Sequence, residues 1–107
     1  MKKVTILGLY NTMATTIFGP MDILNQAGRL WNRVSKSPET PFFDVTIASA
    51  DGQPIRSVNS ILIQPHCSIE DIHQTDLIII ASATYIEKIL EKNPELVPWI
   101  RRHYNQG

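Results

Sequence analysis

The sequence predicts an open α/β fold, with a mainly parallel sheet between helices on both faces. Residues 4–10 (Val-Thr-Ile-Leu-Gly-Leu-Tyr) and 76–81 (Asp-Leu-Ile-Ile-Ile-Ala) form short, nearly continuous apolar runs. Such runs suit strands buried on both faces of a parallel sheet. After each run apolar residues recur every three or four positions, the period of a helix. Strand, helix, strand, helix is the order of a sheet built with right-handed crossovers.

The first helical stripe is Ile17, Met21, Leu24, Ala27, Trp31 and Val34. Pro20 allows two starts: Gly19 and Pro20 supply the cap and first position, or the helix begins near Thr15 and Thr16 and kinks at Pro20. Residues 35–41 form a polar, proline-bearing loop; 42–50 return to strand character, and Asp51 and Gly52 mark a turn. Residues 55–64 predict a weaker pair of short strands around Asn59 and Ser60. Ser68 is placed to cap one helical turn containing Ile69 and Ile72, with Asp71 completing a capping box. Helical spacing resumes at Tyr85, Ile86, Ile89 and Leu90. Asn93 and Pro94 then open a last helix whose inner face is Leu96, Trp99, Ile100 and His103, and Gly107 takes the terminating position. The strands at 4–9 and 77–81 are expected to be central and adjacent, with residues 42–64 adding strands toward an edge. The sequence stops where the next strand is due, so the three-layer domain is expected to be truncated.

At 107 residues the chain suffices for one hydrophobic core, and 43% apolar with 19% charged residues is the composition of a globular protein. Ten basic residues balance ten acidic ones, and the tightest basic clusters are Lys2-Lys3 and Arg101-Arg102. A surface that grips nucleic-acid phosphates concentrates its cations in a patch or stripe, which this sequence lacks. Cys67 stands alone, which excludes an intramolecular disulfide and fits a reducing compartment. The apolar run after Lys2-Lys3 is too short for a secretory signal, and no segment nears the roughly 20 apolar residues of a membrane span. A cytoplasmic protein is expected.

Open α/β sheets bind ligands beyond the carboxyl ends of their strands. The loops there are Tyr10, Asn11, Thr12 and Ser82, Ala83, Thr84. They offer hydroxyls and an amide without a charge, which suits hydrogen bonding to a small polar ligand and supplies no general acid or base. Ordinary capping and loop solvation use the same residue types. The candidate ligand contacts are Asn11, Thr16 and Ser82. Gly8 is followed by no glycine before Gly19, so a dinucleotide fingerprint is missing, as is a phosphate-binding lysine loop; no cofactor is expected. His66 and Cys67, if extended, point to opposite faces, and no paired-cysteine or paired-histidine spacing brings His73 to them as a metal site. Cys67 follows Pro65 and His66 and precedes the long buried strand, which is not the context of a nucleophile elbow. Trp31 and Trp99 lie on apolar stripes and are expected in the core or at a helix-lined interface. Arg101, Arg102 and His103 form a solvated helix end that complements the helix dipole.

One ordered series of residues adds to this reading. Residues 4–9, then Phe18-Gly19-Pro20-Met21-Asp22-Ile23-Leu24, Phe43-Asp44-Val45, residues 49–55, Asp76-Leu77-Ile78-Ile79, and Trp99-Ile100-Arg101-Arg102 with Gly107 resemble the opening half of ThiJ/PfpI-like domains. The resemblance is strongest to those in AraC-family transcriptional regulators of the GlxA kind. It implies a flavodoxin-like fold, a domain that binds a small-molecule effector and forms a homodimer, and DNA contact only through a helix-turn-helix domain beyond these residues. Enzymes of the superfamily carry a glutamate four residues before the helix proline, where this chain has Thr16. Paired glycines near the oxyanion site correspond to Ser82 and Ala83, and the elbow cysteine would lie past Gly107. The resemblance therefore implies a non-catalytic sensor. The alternatives are a hydrolase or glyoxalase fragment and an unrelated α/β binding module.

Overall fold

In the computed structural model, which describes residues 1–106, the elements are β1 (Lys2–Leu7), α1 (Thr15–Gln26), α2 (Leu30–Val34), β2 (Phe43–Ser49), β3 (Ile55–Arg56), β4 (Leu62–Ile63), β5 (Cys67–Ser68), a 3-10 turn (Ile69–Asp71), β6 (Leu77–Ile80), α3 (Ile86–Lys92) and α4 (Leu96–Asn105). The main sheet has the order β5-β2-β1-β6 and all its pairings are parallel. Val4 stands between Val45 and Leu77, and Leu7 between Ala48 and Ile80.

Alternation along β1 builds the two cores. Ile6 faces α1 and the β3–β4 hairpin, packing with Ile17, Ile47, Ile55 and Ile63. Leu7 faces the other way, into Leu9, Ile69, Ile89, Leu96 and Trp99 from the 3-10 turn, α3 and α4. Period-two alternation places consecutive side chains on opposite faces, so one strand anchors both layers. Each such fully buried aliphatic side chain contributes about 1.5–3 kcal/mol of transfer free energy.

Of the two starts open to the first helix, the chain takes the earlier: α1 begins at Thr15 and runs through Pro20. Gly19 eases this, because the residue before a proline has no Cβ here to crowd the ring. The expected stripe to Val34 is broken, however. The backbone turns extended at Ala27, Gly28 adopts φ +78°, and the Thr40 N–H donates to the Gly28 carbonyl at 2.7 Å. The chain entering β2 thus crosses against the end of the helix, and α2 leaves the core. Trp31 is 74% exposed and Val34 65%, so Trp31 is not a core residue; Trp99 is.

Two sheet expectations need correction. β6 is adjacent to β1 as expected but is not central, because no strand among the described residues pairs with its outer side. Leu77 and Ile80 are about half exposed, beside an open groove that Ile100, His103 and Tyr104 of α4 also line. Of residues 42–64, β2 extends the main sheet beyond β1 as expected, whereas β3 and β4 form a separate antiparallel hairpin packed with α1; β5 forms the edge opposite β6. The inner face expected for α4 is buried at Leu96, Trp99 and His103. Asn93 does not cap α4; its side-chain amide donates to the Ile89 carbonyl and closes α3 instead. Asp71 reaches back to Ser68 as the capping box requires, accepting from its N–H and hydroxyl at 3.2 Å. The terminating role expected of Gly107 lies outside the described residues. No helix is long and apolar enough to cross a membrane among the described residues.

A Cβ on Gly28 would stand 1.9 Å from the Thr40 carbonyl oxygen, at a φ that side-chain-bearing residues rarely adopt. Gly28→Ala is therefore expected to lower unfolding stability by about 1–3 kcal/mol. Denaturant titration checks this: the midpoint should fall while the slope stays unchanged.

Candidate functional site

β1 and β6 are parallel neighbours in register, so the loops leaving Leu7 and Ile80 emerge side by side. The chain's path also reverses here, going from β1 to β2 on one side and later to β6 on the other. This is the switch point at which open α/β sheets leave a crevice.

Hydroxyl groups close that crevice. The Ser82 hydroxyl accepts the Met13 N–H at 2.9 Å. The Thr16 hydroxyl donates to the Met13 carbonyl at 2.7 Å and accepts the Ser82 N–H at 3.1 Å. The Thr12 hydroxyl lies 3.3 Å from that of Thr16 and 3.4 Å from that of Ser82, and Thr12 is fully buried. The structure thus brings together Thr16 and Ser82, two of the three residues singled out by sequence. Asn11 stands outside the cluster. Its backbone is left-handed at φ +63°, and its N–H donates to the Arg56 carbonyl at 2.7 Å, tying the loop to the β3–β4 hairpin. Thr12 was missed as a member, although Thr12 and Thr16 are four residues apart with a loop-to-helix junction between them.

Beside the cluster, over the carboxyl ends of β1 and β2, lies an open cleft of about 520 Å³. Tyr10 and Asp51 form one side; Tyr85, Lys88, Ile89 and Lys92 form the other, with Asn93 at the end. A narrower annex of about 180 Å³ continues toward Gly8, Ser49 and Arg56. The Lys88 ammonium is 5.9 Å from the centre of the Tyr85 ring, within cation–π reach. The Asp51 carboxylate accepts the Gln53 N–H at 3.0 Å, folding back on its own turn. Among the described residues the one ion pair is Arg33–Glu39, so neither cleft lysine is matched by a carboxylate within 4 Å. Sequence reasoning passed over Lys88 and Lys92 because two lysines one turn apart are ordinary on a solvated helix face. Their spacing from Tyr85, three and then four residues, was the available signal.

The remaining chemically capable groups lie elsewhere. The His66 ring Nδ1 accepts the Ile47 N–H at 2.9 Å and so serves the sheet edge. Cys67 is half-buried in β5; burial, reinforced by the Asp71 carboxylate, pushes its thiol above the ordinary value and keeps it protonated at neutral pH. Among the described residues, His, Cys, Asp and Glu side chains nowhere gather in threes to hold a metal ion.

Neither a protein-family model nor a curated protein matches the sequence. Solved structures do match its fold. A proposed transcriptional regulator from Vibrio parahaemolyticus is 20% identical, covers 99% of this chain and superposes with a TM-score of 0.74. Oxidised DJ-1 from Toxoplasma gondii is 17% identical over the whole chain, with a TM-score of 0.75. A DJ-1 superfamily protein from Salmonella typhimurium, solved with a cysteine-to-alanine substitution, is 19% identical over the whole chain, with a TM-score of 0.73. The fold is therefore the flavodoxin-like α/β fold of DJ-1 and ThiJ/PfpI proteins, and the chain spans 52% of the length of each of these three structures.

Removing the Ser82 hydroxyl breaks its bond with the Met13 N–H, which is exposed and can turn to water, so the loss is the net worth of one hydrogen bond, about 0.5–1.5 kcal/mol. Ser82→Ala and Thr16→Val are each expected to lower stability by that order. Because the two side chains share partners, the double variant should lose less than the sum. Chemical denaturation of the four proteins in this cycle checks it.

Proposed function

We propose that this chain is the effector-sensing portion of a transcriptional regulator of the AraC family, GlxA kind, and has no catalytic role. One observation carries the reading: at the crevice between the β1 and β6 loops, the Thr16 and Ser82 hydroxyls are already engaged with backbone groups. Thr16, at the position where the resemblance places a catalytic glutamate, spends its hydroxyl on the Met13 carbonyl and the Ser82 N–H. It offers no proton that a reaction needs, and proton transfer is typically worth roughly 10²–10⁴ in rate. Cys67, the one thiol, lies in the edge strand β5, where burial and the Asp71 carboxylate raise its pKa. The regulator among the structural neighbours supports the same reading.

The effector sits in the cleft that Tyr10 and Tyr85 line, next in the chain to the loops that carry Asn11 and Ser82, although Asn11, Thr16 and Ser82 do not themselves line it. The protein works in the cytoplasm as a homodimer, since two-fold pairing is the commonest symmetry of soluble oligomers and matches a regulator with two reading heads. DNA is read by a helix-turn-helix module outside these residues; zero net charge argues against phosphate binding by this portion. The second reading is a hydrolase or glyoxalase fragment, which the DJ-1 fold neighbours are equally compatible with.

The purified chain separates the two. A sensor is expected to be thermally stabilised by a small ligand in a saturable way, by about 2.7 kcal/mol at a hundredfold excess over the Kd. It should show no salt-sensitive affinity for DNA and no glyoxalase or hydrolase turnover. Turnover that disappears in Cys67→Ala contradicts the reading and assigns the enzyme instead.

A further inference from the structure

The cleft has a charge pattern that specifies its ligand more closely. Lys88 and Lys92 are four residues apart on α3 and therefore project from one face, about one helical turn apart. Like charges at this spacing repel and weaken a helix, and an anion held between them turns that repulsion into two attractions. The acidic residues of the same helix, Glu87 and Glu91, occupy the neighbouring positions and do not line the cleft. Asp51 lines it too, its carboxylate accepting the Gln53 N–H and keeping its negative charge. Two ammonium groups against one carboxylate leave the lining net positive.

Its walls are aromatic. Tyr10 and Tyr85 are each about half exposed, so ring surface faces the cleft, and the buried Ile89 also lines it. A volume of about 520 Å³ is within the range of small-molecule sites, ample for a substituted ring and tight for a dinucleotide. Polyphosphates are recognised by runs of backbone N–H groups in glycine-rich loops. Here the nearby Gly8 is packed against Ile55, where a Cβ would come within 2.2 Å of the side chain, and the Asn11 N–H is already bonded.

We propose that the cleft binds a small aromatic or otherwise planar carboxylic acid, its ring between Tyr10 and Tyr85 and its carboxylate shared by Lys88 and Lys92. The assignment rests on the sensor reading and adds the ligand's chemical class to it. Charge-assisted hydrogen bonds to two ammonium groups provide the selectivity for an acid over its amide, and the flat rings provide the apolar contact.

Calorimetric titration of the 107-residue chain with benzoate, 2-hydroxybenzoate, benzamide, benzylamine and inorganic phosphate tests it. The two acids are expected to bind saturably, about tenfold or more tighter than benzamide, with affinity falling as salt rises. Lys88→Ala and Lys92→Ala should each weaken the acids about tenfold while leaving benzamide unchanged, and Lys92→Glu should move the preference toward benzylamine. Both lysines are exposed, so the fold is not at stake, and far-UV dichroism verifies that. Benzamide binding as tightly as benzoate, phosphate binding more tightly than either acid, insensitivity to both lysine variants, or no binding by either acid overturns the assignment. A neutral ligand lost in Tyr10→Ala and Tyr85→Ala would overturn this ligand class while leaving the sensor reading in place. Failure of a chemically diverse set of neutral, acidic and basic ligands would remove both.

Discussion

Strand β1 is paired along its whole length on one edge and from Val4 to Leu7 on the other, and that second part is buried. Lys2 to Leu7 match Phe43 to Ala48 in parallel register on one edge, and Val4 to Leu7 match Leu77 to Ile80 on the other. Val4, Ile6 and Leu7 are essentially inaccessible to water. A strand so placed has no freedom to slip, because a shift by one residue would exchange Ile6 for Leu7 and send each into the wrong core. Both helix layers, and therefore the relative positions of α1 and α3, are referred to this one ladder.

The geometry of the site follows from it. The register Leu7 opposite Ile80 delivers the loops after β1 and β6 to the same level. There Thr12, Thr16 and Ser82 lock the start of α1 to the end of β6 through bonds that span sixty-six residues of sequence. Polar groups satisfied by one another in this way rigidify a junction. The adjoining cleft is different in kind. Its tyrosines and lysines come from one loop and one face of α3, are exposed, and make few contacts that would consume their binding capacity. The molecule thus separates a hydrogen-bonded joint from an open cleft a few residues away. The open side of β6 is a second unsatisfied feature: edge strands normally carry charges or proline against further pairing, and Leu77 to Ile80 carry neither.

How much of this could be read from the sequence depended on whether each signal was local. The apolar runs at 4–10 and 76–81 marked β1 and β6 because parallel strands need both faces apolar. The same composition serves a central or an edge strand, so the place of β6 in the sheet was not legible. Helical periodicity continued through Ala27 to Val34 with no sign of a break other than Gly28, whose meaning depends on a contact with Thr40 from the next loop. The pair of short strands around Asn59 and Ser60 was legible and is present as β3 and β4, but its separation from the main sheet was not; two-residue β5 is too short to carry a pattern. The loops around Thr16 and Ser82 were found by the rule that ligand crevices lie beyond strand carboxyl ends. Thr12 was not, since a buried threonine and a solvated one look alike in sequence. The lysines of α3 were hidden for the opposite reason, resembling any hydrated helix surface.

Native-state hydrogen exchange followed residue by residue tests the dependence on β1 most directly. The amides of Val4 to Leu7 should be the most protected in the chain and exchange only by global unfolding, with those of β2 close behind. Amides of α2 and of the β3–β4 hairpin should open at markedly lower free energy. If β1 exchanged through local opening while α3 and α4 retained the highest protection, the helical layer and not the central ladder would organise the molecule, contradicting the primacy of β1.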